Sequence, residues 1–281
     1  MENKICVITG CNTGIGKITA IELAKQNYEI LMLVRDSQKS RNAFDEIKEA
    51  TKSDKIKLFY VDLASLKSVK RVADEIKQQY SKIDVLINNA GVFKRKYDKS
   101  VDDFEMTLAV NYLAPFMLTN LLLPLLKESN QARIVNVSSE IYKSGKVNIE
   151  NNFSDAKFNG DKAYANSKLL IIFFTKELAK RLDKTNVTVN SVHPGVVGTD
   201  VFREYPKWFS KMLNLFITKP EDGAKPSIFL ATSKDVENIT GQYFNKTKQA
   251  KPIELLNDEE LSEQIWNKTE SLLQMNDKKQ A

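Results

Sequence analysis

Hydrophobic residues fall in short runs that alternate with longer amphipathic stretches. Ile5–Thr9, Glu29–Val34, Ile56–Tyr60, Asp84–Ile87, Ala132–Val137 and Val187–Val192 are nearly unbroken apolar runs. That pattern suits strands covered on both faces. Gly241–Phe244 is a shorter candidate. Between them the spacing predicts helices over Ile15–Gln26, Gln38–Thr51, Ser65–Tyr80, Val101–Leu126, Lys162–Leu182 and Glu221–Ala231. Strand and helix alternating in this way predict an α/β fold, a doubly wound parallel sheet with helices on both faces. No Gly/Ser-rich or Pro-rich linker divides the rhythm, so residues 1–281 read as one domain. Lys143–Asp161 and Phe202–Lys219 break the pattern as irregular excursions. In an open sheet of this kind ligands bind beyond the carboxyl ends of the strands. Substrate contacts are therefore expected in loops at that edge.

Met106–Leu126 runs 21 residues without a charge, long enough to span a bilayer. It also holds two Asn and two Pro and follows a charged segment, so a buried helix is the expectation. The first residues show no positively charged region ahead of a long apolar one, and the first strand starts by Ile5. A cytoplasmic protein without an integral membrane segment is expected. Hydrophobic residues make up 42% and charged residues 28%, which excludes wholesale disorder. Two cysteines, Cys6 and Cys11, fit free thiols in a reducing compartment. The single histidine, His193, excludes a metal site built on several His ligands within one chain. The net charge of +6 is spread out and belongs to no recognisable nucleic-acid module, so no nucleic-acid partner is expected.

After the first strand comes Thr9-Gly10-Cys11-Asn12-Thr13-Gly14-Ile15-Gly16. Gly10 can turn tightly out of the strand, and Gly14 and Gly16 let backbone approach a pyrophosphate. Free N–H groups and the dipole at the helix start favour that anion. The second strand ends at Val34, followed by Arg35 and Asp36. An acid there would bind the ribose 2′-hydroxyl of NAD, and an arginine the 2′-phosphate of NADP. Both readings are open, and Arg35, with Lys17 adding charge nearby, favours NADP(H) over NAD(H). Asp62 is a candidate for the adenine edge, or equally a turn residue. Tyr164 and Lys168 lie four apart on a predicted helix and share a face. An ammonium beside a phenol favours the phenolate and lowers its pKa. Such a pair can exchange a proton with an alcohol or carbonyl.

Together these residues resemble the short-chain dehydrogenase/reductase family. The glycine turn resembles its T-G-x-x-x-G-x-G motif, and Asn88-Asn89-Ala90-Gly91 its N-N-A-G. Tyr164-Ala165-Asn166-Ser167-Lys168 resembles its Y-x-x-x-K, and Pro194 to Thr199 its P-G-x-x-x-T. Longer stretches, such as CNTGIGKITAIELAK, resemble the retinol dehydrogenase-like subgroup, in which NADP(H) use is common. The resemblance implies a Rossmann-like sheet of about seven strands and an enzyme that interconverts an alcohol and an aldehyde or ketone. It implies that Tyr164 is the acid/base, and that Lys168 supports it and binds the nicotinamide ribose. Ser139, rather than its neighbour Ser138, would orient the reacting oxygen, and Asn111 would hold a water linking Lys168 to solvent. Gly10, Asn12, Thr13, Gly14, Ile15, Gly16, Arg35, Asp62, Asn88, Ala90 and Gly91 would line the nucleotide site. Thr199 and the Val197 backbone would hold the carboxamide under a loop shaped by Pro194 and Gly195.

Some features admit two readings. Phe202, Tyr205, Trp208, Phe209, Met212 and Leu213 would form either a lid over an apolar substrate or ordinary packing. His193 suggests a hydrolase, but no G-x-S-x-G elbow accompanies it, so a structural role is expected. Cys11 stands in the glycine turn, where a helix start could activate its thiol. The predicted helices Val101–Leu126 and Lys162–Leu182 are candidates for a homodimer interface. A protein that only senses a dinucleotide on the same fold is the alternative to an enzyme, and an epimerase-like relative with a tightly held cofactor is a third reading.

Overall fold

The computed structural model describes residues 4–147, 158–195 and 219–275. Its strands are β1 (Lys4–Thr9), β2 (Tyr28–Val34), β3 (Ile56–Tyr60), β4 (Val85–Asn88), β5 (Ala132–Val137), β6 (Val187–His193), β7 (Tyr243–Asn245) and β8 (Lys248–Gln249). They form one sheet in the order β3-β2-β1-β4-β5-β6-β7-β8. Every pairing is parallel except β7 with β8. The described residues thus give eight strands where about seven were expected. The addition is a two-residue antiparallel edge strand, too short for periodicity to reveal.

The helices are α1 (Gly14–Lys25), α2 (Gln38–Thr51), α3 (Leu66–Gln79), α4 (Met106–Lys127), α5 (Gly160–Arg181), α6 (Pro220–Thr232) and α7 (Glu259–Leu272). Ser37 and Ser65 cap α2 and α3 by accepting from Ser40 N and Ser68 N, satisfying N–H groups that a helix start leaves open. Buried Val69, Val72, Ala73 and Ile76 line one face of α3 at the helical repeat. One core, with Leu31, Leu86 and Ile134, packs the sheet against α3, α4 and α5. A second, with Ile8, Met32 and Val192, packs its other face against α1 and α6. The topology switches at β1, where β2 and β4 leave on opposite sides, and a crevice opens above that point.

No sequence expectation covered α7. It lies over α4 and α5. Trp266 packs against Phe116 at 4.7 Å and Phe174 at 5.9 Å between ring centroids, and the Arg181 guanidinium sits 4.3 Å from the Trp266 ring. Tyr112 Oη and Thr269 Oγ1 share a buried hydrogen bond of 2.7 Å.

Candidate active site

Between the end of β1 and the start of α1 the chain turns through Gly10–Thr13. Thr13 caps α1 without a side-chain hydrogen bond, and no acid lies in the first turn. The first N–H groups of α1 are therefore available to an anion. At Gly16 close approach decides the residue. A Cβ there would stand 2.4 Å from Asn89 Nδ2 and 2.7 Å from Gly10 O. Asn89 Nδ2 donates to Thr9 O and Gly10 O, at 2.9 and 3.2 Å, and ties the end of β4 to the turn.

Gly10, Asn12, Thr13, Gly14, Ile15 and Gly16 open onto a cleft of about 770 Å³, within the usual range for ligand sites. The cleft runs along the carboxyl ends of the strands. It passes Arg35, Asp36 and Lys39 after β2, Asp62 after β3, Ala90 and Gly91 after β4, and Ser139 after β5. It ends at Tyr164, Lys168, His193, Pro194 and Gly195. Lys39 and Asn89 were not singled out in the sequence. Lys39 lies beyond the strand-end position where the arginine signal is read, and Asn89 is the neighbour of the asparagine that was chosen.

Asn88 departs from expectation. Its side chain is buried beneath the cleft, where Nδ2 donates to Thr119 Oγ1 at 3.0 Å and Asn136 Oδ1 at 2.8 Å. Strand alternation explains this, because consecutive side chains face opposite sides. Lys17 departs too: its ammonium pairs with Glu46, so its charge is already engaged. Asp62 has the turn role, since Oδ1 accepts from Ala64 N at 3.0 Å, and it also lines the cleft. Val197, Thr199 and the aromatic segment 202–218 lie outside the described residues.

At the far end, α5 puts Tyr164 and Lys168 on one face. Lys168 Nζ donates to Val137 O at 2.9 Å and stands 5.6 Å from the Tyr164 ring centroid. Phe93 packs edge-on to that ring at 5.8 Å. Ser138 is buried and donates to Lys168 O at 2.8 Å. Ser139 Oγ lines the cleft and accepts only a long 3.5 Å bond from Ile141 N among its described contacts. Asn111 lies in a π-helical turn of α4, Ala109–Leu113, a distortion that recurs at functional positions. A Cβ on Gly91 would stand 3.5 Å from both Asn111 Oδ1 and Lys168 Nζ, so the three converge. Asn111 Nδ2 spends both protons on Val92 O and Ser167 Oγ, and Oδ1 accepts from Val92 N. A water on Asn111 has no Nδ2 proton left to accept, so it would have to donate to an oxygen, either the second lone pair of Oδ1 or the main-chain carbonyl.

The electrostatics correct one expectation. Burial pushes the Tyr164 phenol above its ordinary range and Lys168 down to about 8. In the protein alone, burial outweighs the attraction of ammonium for phenolate, because it disfavours the charged form of both groups. Cys11 is corrected likewise: burial pushes its thiol up to about 12, and Sγ contacts Ile8 O at 3.4 Å. It is not an activated nucleophile. Burial also drives His193 down to about 4, so its imidazole is neutral. It lines the cleft from the end of β6, with Nδ1 buried and unpartnered among the described residues.

A family model described as short chain dehydrogenase matches residues 4–209. Retinol dehydrogenase 14 of Mus musculus is 40% identical over 97% of this chain and 86% of its own length. Retinol dehydrogenase 13 of Homo sapiens is 39% identical over 97% of this chain and 85% of its own. Among solved structures, an uncharacterized protein from Mycobacterium paratuberculosis superposes with a TM-score of 0.79. It is 29% identical, with 96% of this chain and 93% of that chain covered.

These findings overturn the expectation of a cytoplasmic protein without a membrane segment. The relatives are named for the dehydrogenation of retinol, an alcohol that partitions into lipid. Among the described residues, Met106–Lys127 is a helix long and apolar enough to cross a membrane by length and composition, though 78% of its most apolar window is buried in the protein. That burial agrees with the core helix expected for this stretch, so the relatives, and not the helix, overturn the expectation. The alternative of a non-catalytic dinucleotide sensor also falls, because family and relatives are oxidoreductases of alcohols and carbonyls. The chain belongs to the short chain dehydrogenase family, whose members bind nicotinamide dinucleotides.

Proposed function

We propose that the protein is an NADP(H)-dependent reductase of apolar aldehydes or ketones, reversible as an alcohol dehydrogenase, with Tyr164 as its acid/base. The observation that carries this reading is one continuous cleft joining the glycine turn, Arg35 and Lys39 to Ser139, Tyr164 and Lys168. A dinucleotide fits it. The tight backbone approach at Gly16 and the open N–H groups of α1 suit a pyrophosphate. Exposed Arg35 suits a 2′-phosphate, while the neighbouring carboxylate of Asp36 is engaged by Arg41. When bound, the nicotinamide supplies or accepts the hydride.

The chain's own residues handle the oxygen. Ser139 Oγ donates a hydrogen bond to the substrate carbonyl and fixes its orientation. The buried, neutral Tyr164 hydroxyl holds the proton that this oxygen needs during reduction. Lys168 stabilises the phenolate left behind, and its pKa near 8 lets it return a proton at neutral pH. Val92, Phe93, Met106, Val110 and Val137 give the cleft an apolar wall. With relatives named for retinol, that wall favours a long apolar aldehyde such as retinal as the first substrate to try. The test is Arg35→Ala, with NADPH and NADH titrated separately. NADPH affinity should fall by roughly 10-fold or more while NADH changes little. Equal effects on both would refute the NADP(H) choice.

A further inference from the structure

Ser139 caps the 3-10 turn Glu140–Ser144, and three attachments hold that turn in place. At its far end it rests on α5 beside Tyr164. Lys146 N donates to Asn166 Oδ1 at 2.8 Å, and a Cβ added at Gly145 would stand 2.8 Å from Ala165 O. One short segment therefore begins at Ser139 and ends against the main chain next to Tyr164.

The other two attachments run to β7. β6 lies between β5 and β7 in the sheet, so Glu140 must reach past the end of β6. Its Oε1 accepts from Tyr243 Oη at 2.5 Å, and its Oε2 accepts from Lys143 Nζ of the same turn at 2.5 Å. The Tyr142 ring adds an edge contact to Tyr243 at 4.9 Å between centroids. Burial raises the Glu140 pKa, but hydrogen bonds from Lys143 and Tyr243 outweigh it and hold the carboxyl below its ordinary range. Glu140 is thus an anion at neutral pH, and Tyr243, 2% exposed, depends on it as an acceptor.

We propose that Glu140 is a positioning residue: its bond to Tyr243 pins the turn that sets Ser139 opposite Tyr164. The inference rests on Ser139 orienting the reacting oxygen, as proposed above. Glu140 itself does not touch substrate. A loosened turn would leave the cofactor end of the cleft intact and blur the geometry at the carbonyl.

The test uses the full chain, decanal as substrate and fluorescence titration of NADPH. Glu140→Ala should lower kcat by about 10-fold or more, as small misplacements of a catalytic group do. NADPH affinity should stay within about twofold of the parent. Glu140→Gln should keep most activity, because its amide oxygen still accepts from Tyr243. Tyr243→Phe, which leaves no orphaned hydroxyl, should reproduce the loss of kcat if Glu140→Ala folds poorly. In a Ser139→Ala background, Glu140→Ala should cost no more than about twofold further, because both act through one group. Full kcat in both Glu140→Ala and Tyr243→Phe, with Ser139→Ala impaired, would overturn the positioning role alone. An undiminished effect in the Ser139→Ala background would do the same. Full activity in Ser139→Ala itself would remove the Ser139 assignment and this inference with it.

Discussion

Lys168 is expected to be retained at a cost in stability. Its side chain is 3% exposed, and burial brings its pKa from 10.5 to about 8. At about 1.4 kcal/mol per pKa unit, holding the ammonium in the folded state costs about 3 kcal/mol. Methionine at this position removes the charge and keeps much of the volume. It also forfeits the bond to Val137 O, worth about 2 kcal/mol because its donor is charged. Lys168→Met should therefore be more stable than the parent by about 1 kcal/mol at pH 7, which raises Tm by about 2 °C in a chain of this length. The pH dependence follows from the direction of the shift. Below pH 8 the lysine is protonated folded and unfolded, and the folded state bears the full cost. Between pH 8 and 10.5 the folded state has released its proton while the unfolded state keeps one, so parent stability rises and the advantage of Met fades. Thermal unfolding of both proteins from pH 6.5 to about 10 reads this directly. A variant no more stable than the parent at pH 7, or an advantage that does not shrink above pH 8, would refute the reasoning.

Two further perturbations probe the scaffold. Gly16→Ala places a methyl against Asn89 and the Gly10 carbonyl and should weaken NADPH by roughly 10-fold or more; unchanged affinity by fluorescence titration would contradict the close-approach argument. Trp266→Ala empties the contact among Phe116, Phe174 and Arg181 and should cost roughly 3–5 kcal/mol, seen as a lower Tm with NADPH affinity preserved.

The strands and helices that bury continuous apolar runs were legible in the sequence. Gln38–Thr51 and Ile56–Tyr60 fall where periodicity places them, and most other elements differ by a residue or two. α7 escaped notice because its apolar positions are sparse among charged and polar ones, although Asp258 and the acids Glu259 and Glu260 spell a helix start. The glycine turn and the Tyr164–Lys168 pair were readable because their chemistry depends on local spacing. Asn88 and Asn89 could not be told apart in the same way. Which of two neighbours faces the cleft depends on strand phase, which the motif alone does not specify. Nor could the sequence anticipate the burial that raises Tyr164 and Cys11, since it comes from elements distant in the chain. The membrane expectation failed for a related reason: an uncharged stretch such as Met106–Leu126 reads alike in a protein core and in a bilayer.

The central claim is that the Tyr164 hydroxyl moves the proton that accompanies hydride transfer. Tyr164→Phe removes one oxygen and preserves the ring that packs on Phe93. The decisive measurement is NADPH oxidation with an apolar aldehyde, paired with NADPH titration of the same protein. The account predicts a loss of roughly 100- to 10,000-fold in kcat with cofactor affinity essentially unchanged. Turnover at the parent rate by a folded, NADPH-binding Tyr164→Phe protein would contradict it.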